Sequence, residues 1–255
     1  MRGLKVVLAA TALLLVSGAC TANPAPSLVG PTGLITVPGT GLVGANSVDI
    51  GAHFWWYDRD AEDSHEDLRV WHLNWGVCDD VEISVASTVA EGSDSESRWD
   101  QEDTTFGVKW VPLKEPDDCI SLGFGVYNIG SRHGSYDEEI WYVVGSKSLC
   151  SLKAGKRPVL AVFGLEFADK ACGPTWLKCN VLGNGDEDSP NFFTGLEAEV
   201  ADWLTLICET NEFDDFNFGG RFNICENLNV DLMGLEDWDQ NRRFLLGVSY
   251  HVSWD

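Results

Sequence analysis

Hydrophobic and polar positions alternate with a period of two along most of this chain. In its last segment Phe244, Leu246, Val248, Tyr250, Val252 and Trp254 alternate with Arg243, Leu245, Gly247, Ser249, His251 and Ser253. One face is apolar and the other mostly small or polar, which predicts a β-strand between two different environments. Val48, Ile50, Ala52, Phe54 and Trp56 repeat the pattern against Asp49, Gly51, His53 and Trp55. So do Trp71, Leu73, Trp75 and Val77 against Val70, His72, Asn74 and Gly76. Further alternating stretches run through Val81–Val89, Phe106–Trp110, Ile120–Val126 and Phe216–Ile224. Less regular stretches lie at 138–149, 157–167, 190–200, 202–212 and 228–237, the first with apolar residues on both faces. The total is about twelve segments of about ten residues, and a tilted membrane strand needs about 9–11.

The connections between these segments alternate in length. Short turns are predicted at Cys78–Asp80, Leu113–Asp118, Cys150–Lys156, Ala201-Asp202 and Glu226-Asn227. Longer acidic loops are predicted at 58–67, 91–102, 130–137 and 168–189, while the links near 213–214 and 238–241 are again short. Short turns on one rim and long loops on the other describe an outer-membrane barrel, and an even strand count puts both termini on the short-turn rim. The expected fold is therefore all-β, a closed antiparallel up-and-down transmembrane barrel of about twelve strands.

A secreted soluble carbohydrate-binding β-sandwich would also alternate, with its polar face in water. Here that second face carries Gly51, Gly76, Gly107, Gly123, Gly125, Gly145, Gly164, Gly195, Gly219 and Gly247. Glycine weakens an exposed strand and marks close approach, which suits a confined interior. Aromatic placement points the same way. Trp75, Trp110, Trp203 and Trp254 fall near the short turns or the C-terminus, and Trp55, Trp56, Phe192, Phe216 and Trp238 near the long loops. Two aromatic girdles are the mark of a barrel crossing lipid.

The second face also gathers charge. Asp49, His53, His72, Glu82, Lys109, Glu197, Glu199, Arg221, Arg243 and His251 are the lumen candidates, with Lys147, Glu166, Glu209 and Asp231 on the same rows. Buried charges must be paired or hydrated. Mixed signs allow either a hydrated passage or an interlocked network that closes the lumen.

The N-terminus bears on compartment. Arg2 and Lys5 precede an apolar run, Val6–Val16, and then small residues up to Ala22, as in a secretory signal peptide spanning 1–22. Cleavage after Ala22 or Ala19 fits, and Cys20 is a candidate for lipidation in place of removal. Residues 23–44 form a separate N-terminal extended segment, and 45–255 the barrel. Export permits disulfides. Cys172 and Cys179 share one loop and are a candidate pair, while Cys78, Cys119, Cys150 and Cys225 all fall at short turns, where adjacent turns could be bridged. The net charge of -23 argues against nucleic acid, which selects a basic face. No Cys-x-x-Cys or calcium-loop spacing occurs, so neither metal nor cofactor is expected.

The most distinctive local sequence is Gly30-Pro31-Thr32-Gly33-Leu34-Ile35-Thr36-Val37-Pro38, shortly before the first strand. Together with the strand Ser47–Tyr57 it resembles the start of the YjbH-type outer-membrane barrels, a family linked to exopolysaccharide export or assembly. The resemblance covers about 30 residues and otherwise extends only to the barrel pattern. It implies a non-enzymatic barrel of a diderm outer membrane, a channel or binding barrel. Its partners would be outer-membrane lipid, with exported polysaccharide or envelope assembly proteins. It brings no catalytic residues. Physically, the prolines and glycines bracket a short extended piece, Leu34–Val37, that could enter the barrel mouth as a plug, pair as a small strand, or serve as a linker. An outer-membrane lipid-modifying enzyme is the alternative. It would need a nucleophile and base near one rim, for which His133 and Ser135 are the nearest pair in sequence.

Overall fold

The computed structural model describes residues 25–59, 64–92, 101–115, 119–131, 139–154, 157–168, 191–211, 215–236 and 242–254. Among them twelve strands follow in chain order: β1 (Ser47–Arg59), β2 (Ser64–Cys78), β3 (Val81–Gly92), β4 (Gln101–Leu113), β5 (Ser121–Ile129), β6 (Ile140–Ala154), β7 (Arg157–Ala168), β8 (Asn191–Ala201), β9 (Leu204–Asn211), β10 (Asp215–Cys225), β11 (Leu228–Glu236) and β12 (Arg242–Ser253). Each pairs antiparallel with its neighbour in sequence. β12 also pairs with β1, from Ser47↔Ser253 to Asp58↔Arg242, and closes the sheet. A sheet closed on itself has no second layer, which removes the soluble sandwich.

Closure gives the period of two its meaning. On β2 the side chains of Trp71, Leu73 and Trp75 are exposed on the outer wall, while Val70, His72 and Asn74 between them are buried. The same split holds on β4, with Phe106, Val108 and Trp110 outward and Lys109 inward. A face that meets hydrocarbon must be apolar, whereas the inner face is free to carry charge. Trp75, Trp110, Trp203 and Trp254 stand on the outer wall near the short-turn rim, and Trp56, Trp141 and Phe216 near the other. Trp55 departs from the expected girdle. It is buried in the interior because Trp56 takes the outward position on β1.

Two boundaries differ from the sequence pattern. The polar run 58–67 is mostly ladder, with Asp58↔His65 and Arg59↔Ser64 still paired. A hairpin continuing past Trp56 needs no lipid partner there and so tolerates polar residues. Part of the turn expected at 150–156 is ladder instead, since Lys153↔Pro158 and Ala154↔Arg157 pair after an irregularity in the register. On β6 the competing faces resolve with Ile140, Tyr142 and Val144 inward and Trp141 outward. Both faces are apolar because the interior itself is apolar at that level. β4 and β5 meet across a register shift beside Asn128, whose φ is 65°.

Residues 25–43 lie inside the barrel. They are neither a paired strand nor an extended linker. Isolated bridges Pro26↔Thr32 and Gly33↔Pro38, with Leu28 N donating to Ile35 O at 2.6 Å, fold the segment onto itself. Gly33 permits this turn, because a Cβ there would lie 2.2 Å from the Val37 carbonyl oxygen. The wall makes room in the same way. A Cβ on Gly195 would lie 2.3 Å from Leu34 Cδ1, and one on Gly76 would strike the Gly44 carbonyl. Leu28, Leu34, Ile35 and Val37 pack against Trp55, Val70, Tyr142, Phe193 and Leu245 in one apolar cluster within the lumen.

Cys78, Cys119 and Cys225 are exposed free thiols at the short-turn rim, not bridged to one another. Cys208, also free, lies on the outward row of β9. Cys20, Cys172, Cys179, His133 and Ser135 lie outside the described residues.

Two measurements check this architecture. Leu232 faces outward midway along β11, so Leu232→Arg should cost about 2–4 kcal/mol in vesicle-based urea unfolding, while a polar substitution on the loops should cost little. A membrane-impermeant maleimide should label Cys78, Cys119 and Cys225 only after the outer membrane is permeabilised. Labelling of intact cells at these positions would invert the topology.

Candidate functional site

The lumen wall holds the internal segment at three ionic centres, each built on a cross-strand pair. The first joins β3 and β4, where Glu82 and Lys109 are register partners. Lys109 Nζ lies 3.4 Å from Glu82 Oε1, and both side chains are fully buried. Glu82 accepts from Thr32 N at 2.9 Å, Thr32 Oγ1 at 2.7 Å and Val43 N at 3.1 Å. Lys109 donates to the Thr32 carbonyl at 2.8 Å, and also to Thr32 Oγ1 and the Gly41 carbonyl. One wall pair thus clamps both ends of a chain loop.

The second centre is Glu209 on β9. It accepts from Ile35 N at 3.2 Å, from Thr36 N at 2.9 Å, and from Thr36 Oγ1. All three donors are neutral. Its register partner on β10 is Asn217, also buried.

The third centre is Arg221 on β10. Its Nε meets Asp231 Oδ1 at 2.9 Å across the β10–β11 ladder, and its Nη1 reaches Glu197 Oε1 on β8 at 3.4 Å. Nη2 donates to the Leu34 carbonyl at 3.3 Å. Asp231 continues the network to His53 Nε2 at 3.8 Å, and His53 Nδ1 contacts His72 Nε2 at 2.8 Å. Around the wall the chain reads Glu197, Arg221, Asp231, His53, His72. Nearer the short-turn rim, His251 Nδ1 meets Asp49 Oδ1 at 2.8 Å.

Of the lumen candidates, Asp49, His53, His72, Glu82, Lys109, Glu197 and Arg221 are buried in the interior. His251 and Glu199 are half-buried on the same inward rows near the rim. The side chain of Arg243 lies outside those described. The structure brings Glu197, Arg221, His53 and His72 into one network and keeps Glu82–Lys109 and Asp49–His251 apart from it.

Several participants carried no sequence signal. Thr32 and Thr36 read only as part of a turn-rich stretch, and Thr36 meets a partner 173 positions away. Thr40 and Ser146 share a short hydroxyl contact. Tyr127 OH donates to Glu166 at 3.1 Å, and Tyr142 packs beside Tyr127. Glu115, in the β4–β5 turn, pairs with Lys147 at 2.8 Å. A carboxylate in an acidic turn reads as solvated, and only the fold shows it turned inward.

No family model matches the chain, and no curated protein matches it in sequence. Solved structures do match in shape. A KdgM porin superposes with a TM-score of 0.53 at 10% identity, over 81% of this chain and 99% of that one. An outer membrane channel from Pseudomonas putida F1 superposes with a TM-score of 0.51 at 11% identity, over 85% of this chain and 100% of that one. The chain therefore shares the closed antiparallel barrel fold of these outer-membrane proteins. The likeness is one of fold.

The Glu82 clamp can be weighed directly. Removing one partner of a buried pair leaves an uncompensated charge and costs about 3–5 kcal/mol. Glu82→Ala should destabilise by that order in denaturant titrations. Glu82→Ala combined with Lys109→Met should cost less than Glu82→Ala alone. Additive losses would show that the pair does not act as a unit.

Proposed function

We propose that this protein is a non-enzymatic outer-membrane channel held shut by its own residues 25–43, exported by the signal-like segment 1–22. In this reading the channel belongs with the YjbH-type barrels and serves exopolysaccharide export or assembly. The observation that carries the channel reading is the seat of the internal segment. It fills the lumen of a porin-class barrel, yet it is bound chiefly by side chain to backbone hydrogen bonds and by apolar contact. It is joined to no wall strand as part of the ladder. Such a segment closes a pore without being part of the pore's frame.

Support for the polysaccharide role is narrower. The stretch Gly30–Pro38, which carries the family resemblance, is the stretch that Glu82, Glu209 and Arg221 hold. The enzyme reading has no comparable support. His53, His72 and His251 are engaged with each other or with Asp49 and Asp231 in the interior.

Planar-bilayer recording of the full chain tests the channel reading. The wild-type chain should conduct poorly. Leu34→Asn with Ile35→Asn, which places amides in the apolar cluster, should raise single-channel conductance at least about tenfold, the size of a 1.4 kcal/mol shift in a closed–open equilibrium. Heat-modifiable gel mobility verifies that the variant is folded. A folded variant with no more conductance than wild type overturns the proposal.

A further inference from the structure

We infer that the lumen, once residues 25–43 leave it, is cation-selective and takes up uncharged, polyhydroxylated solutes such as neutral oligosaccharides while turning away acidic ones. This rests on the channel reading above and adds the chemistry of what passes.

The internal segment is itself the first piece of evidence. From Ala25 to Val43 it contains no charged side chain. It meets the wall's carboxylates through hydroxyls and backbone N–H groups alone. Thr32 Oγ1 donates to Glu82 and Thr36 Oγ1 to Glu209, alongside Thr32 N, Thr36 N, Ile35 N and Val43 N. Lys109 and Arg221 in turn donate to the Thr32, Gly41 and Leu34 carbonyls, so the wall is a set of acceptors and donors spaced for a neutral partner. An occupant that replaces the segment must bring hydroxyls or other donors to the same oxygens, and a sugar ring does so with neutral groups.

The charge balance of the wall is the second. Six carboxylate residues are buried among those described (Asp49, Glu82, Glu166, Glu197, Glu209 and Asp231), against three buried cations, Lys109, Lys147 and Arg221. Lys147 is taken by Glu115, Lys109 pairs with Glu82, and Arg221 is shared between Asp231 and Glu197. Every hydrogen bond to Glu209 described above comes from a neutral donor. With the segment gone, Glu209 faces the lumen with no salt-bridge partner among the described residues, and Arg221, a cation that bears on it, is already shared between Asp231 and Glu197. Rings of uncompensated carboxylates favour cations and repel anions.

The third is a group of polar atoms that no protein partner satisfies. Asn74 is fully buried on the inward face of β2, and neither its Oδ1 nor its Nδ2 has a partner. Its register partner Asp49 leaves Oδ2 unpaired. On its other side Asn74 pairs in register with Ser84, two residues from Glu82. A buried amide with both ends open suits a hydroxyl, which donates and accepts at once. A uronate carboxylate brought there would lie between Asp49 and Glu82.

The full-length Leu34→Asn/Ile35→Asn variant tests this in bilayers under a KCl gradient, with maltohexaose as the neutral probe and hexagalacturonate as the acidic one. The expected reversal potential has the sign of K+ over Cl− selectivity. Maltohexaose should block the current, and hexagalacturonate should not. Adding Glu82→Gln and Glu209→Gln should reduce the selectivity severalfold and weaken the maltohexaose block. Openings of the wild-type chain at high voltage supply the same readings without the unseating substitutions. Anion selectivity, block by hexagalacturonate, or absence of block by maltohexaose each overturns the inference while leaving a channel. No current from either chain overturns the channel reading, and the inference with it.

Discussion

Everything in this structure depends on one constraint. Hydrocarbon offers no partner to a backbone N–H or C=O, so a chain crossing it in strands must close its sheet. The twelve-pair ladder between β1 and β12 does this, with Val48↔Val252, Ile50↔Tyr250 and Ala52↔Val248 along it. Closure leaves no edge to pair with another chain. It also divides the side chains into two populations that never mix. The outer rows meet lipid and carry Trp71, Phe106, Phe218 and Phe244, and the inner rows meet only each other and what lies in the lumen.

Inside, polar and apolar groups are separated by depth in part, with Glu209 and Glu166 the carboxylates on the loop-side halves of β9 and β7. Glu82, Lys109, Arg221, Asp231 and Asp49 sit on the halves of their strands next to the short-turn rim. Trp55, Val70, Phe193, Tyr142 and Leu245 sit farther toward the loops. The internal segment matches both levels. Thr32 and Thr36 meet the carboxylates, while Leu34 and Ile35 enter the apolar layer. Polar groups that hold the backbone and an apolar layer that packs against it are different means of filling one lumen. The wall glycines allow them to coexist, since a side chain at Gly195 would strike Leu34 of the segment and one at Gly76 would strike Gly44 just after it.

Much of the barrel was legible in the sequence because lipid imposes a simple rule on alternate residues. Phe244 to Trp254 declares an outward face with no knowledge of its neighbours, and turn lengths declare the rims. The inward positions of Glu82, Lys109 and Arg221 follow from the same parity. What they do there does not. Parity says that Glu209 points inward, but its partner Thr36 is set by how residues 25–43 fold, and that fold rests on local turns at Gly33 and Pro38. Trp55 and Tyr142 show the limit from the other side. Apolar residues on an inner row blur the alternation, and the reason, an apolar layer around Leu34 and Ile35, is visible only when the strands are assembled. The length of the first hairpin was hidden because a ladder beyond the lipid obeys no rule of polarity.

The distribution of ion pairs bears on the proposal that residues 25–43 leave the lumen. Breaking a buried ion pair costs about 3–5 kcal/mol, whereas a hydrogen bond between a charged and a neutral group, the kind that holds the segment, contributes a net of about 1.5–3 kcal/mol. In this barrel the strong pairs run from wall to wall: Glu82 to Lys109, and Arg221 to Asp231 and Glu197. None has a member in residues 25–43. Departure of the segment, as proposed, would separate hydrogen bonds and apolar contacts but leave those pairs intact in the wall. The cations would stay compensated, the frame would keep its charge network, and the groups newly opened would be the carboxylate oxygens of Glu82 and Glu209 with N–H groups of Lys109 and Arg221. A segment joined to the wall by ion pairs would have been part of the frame.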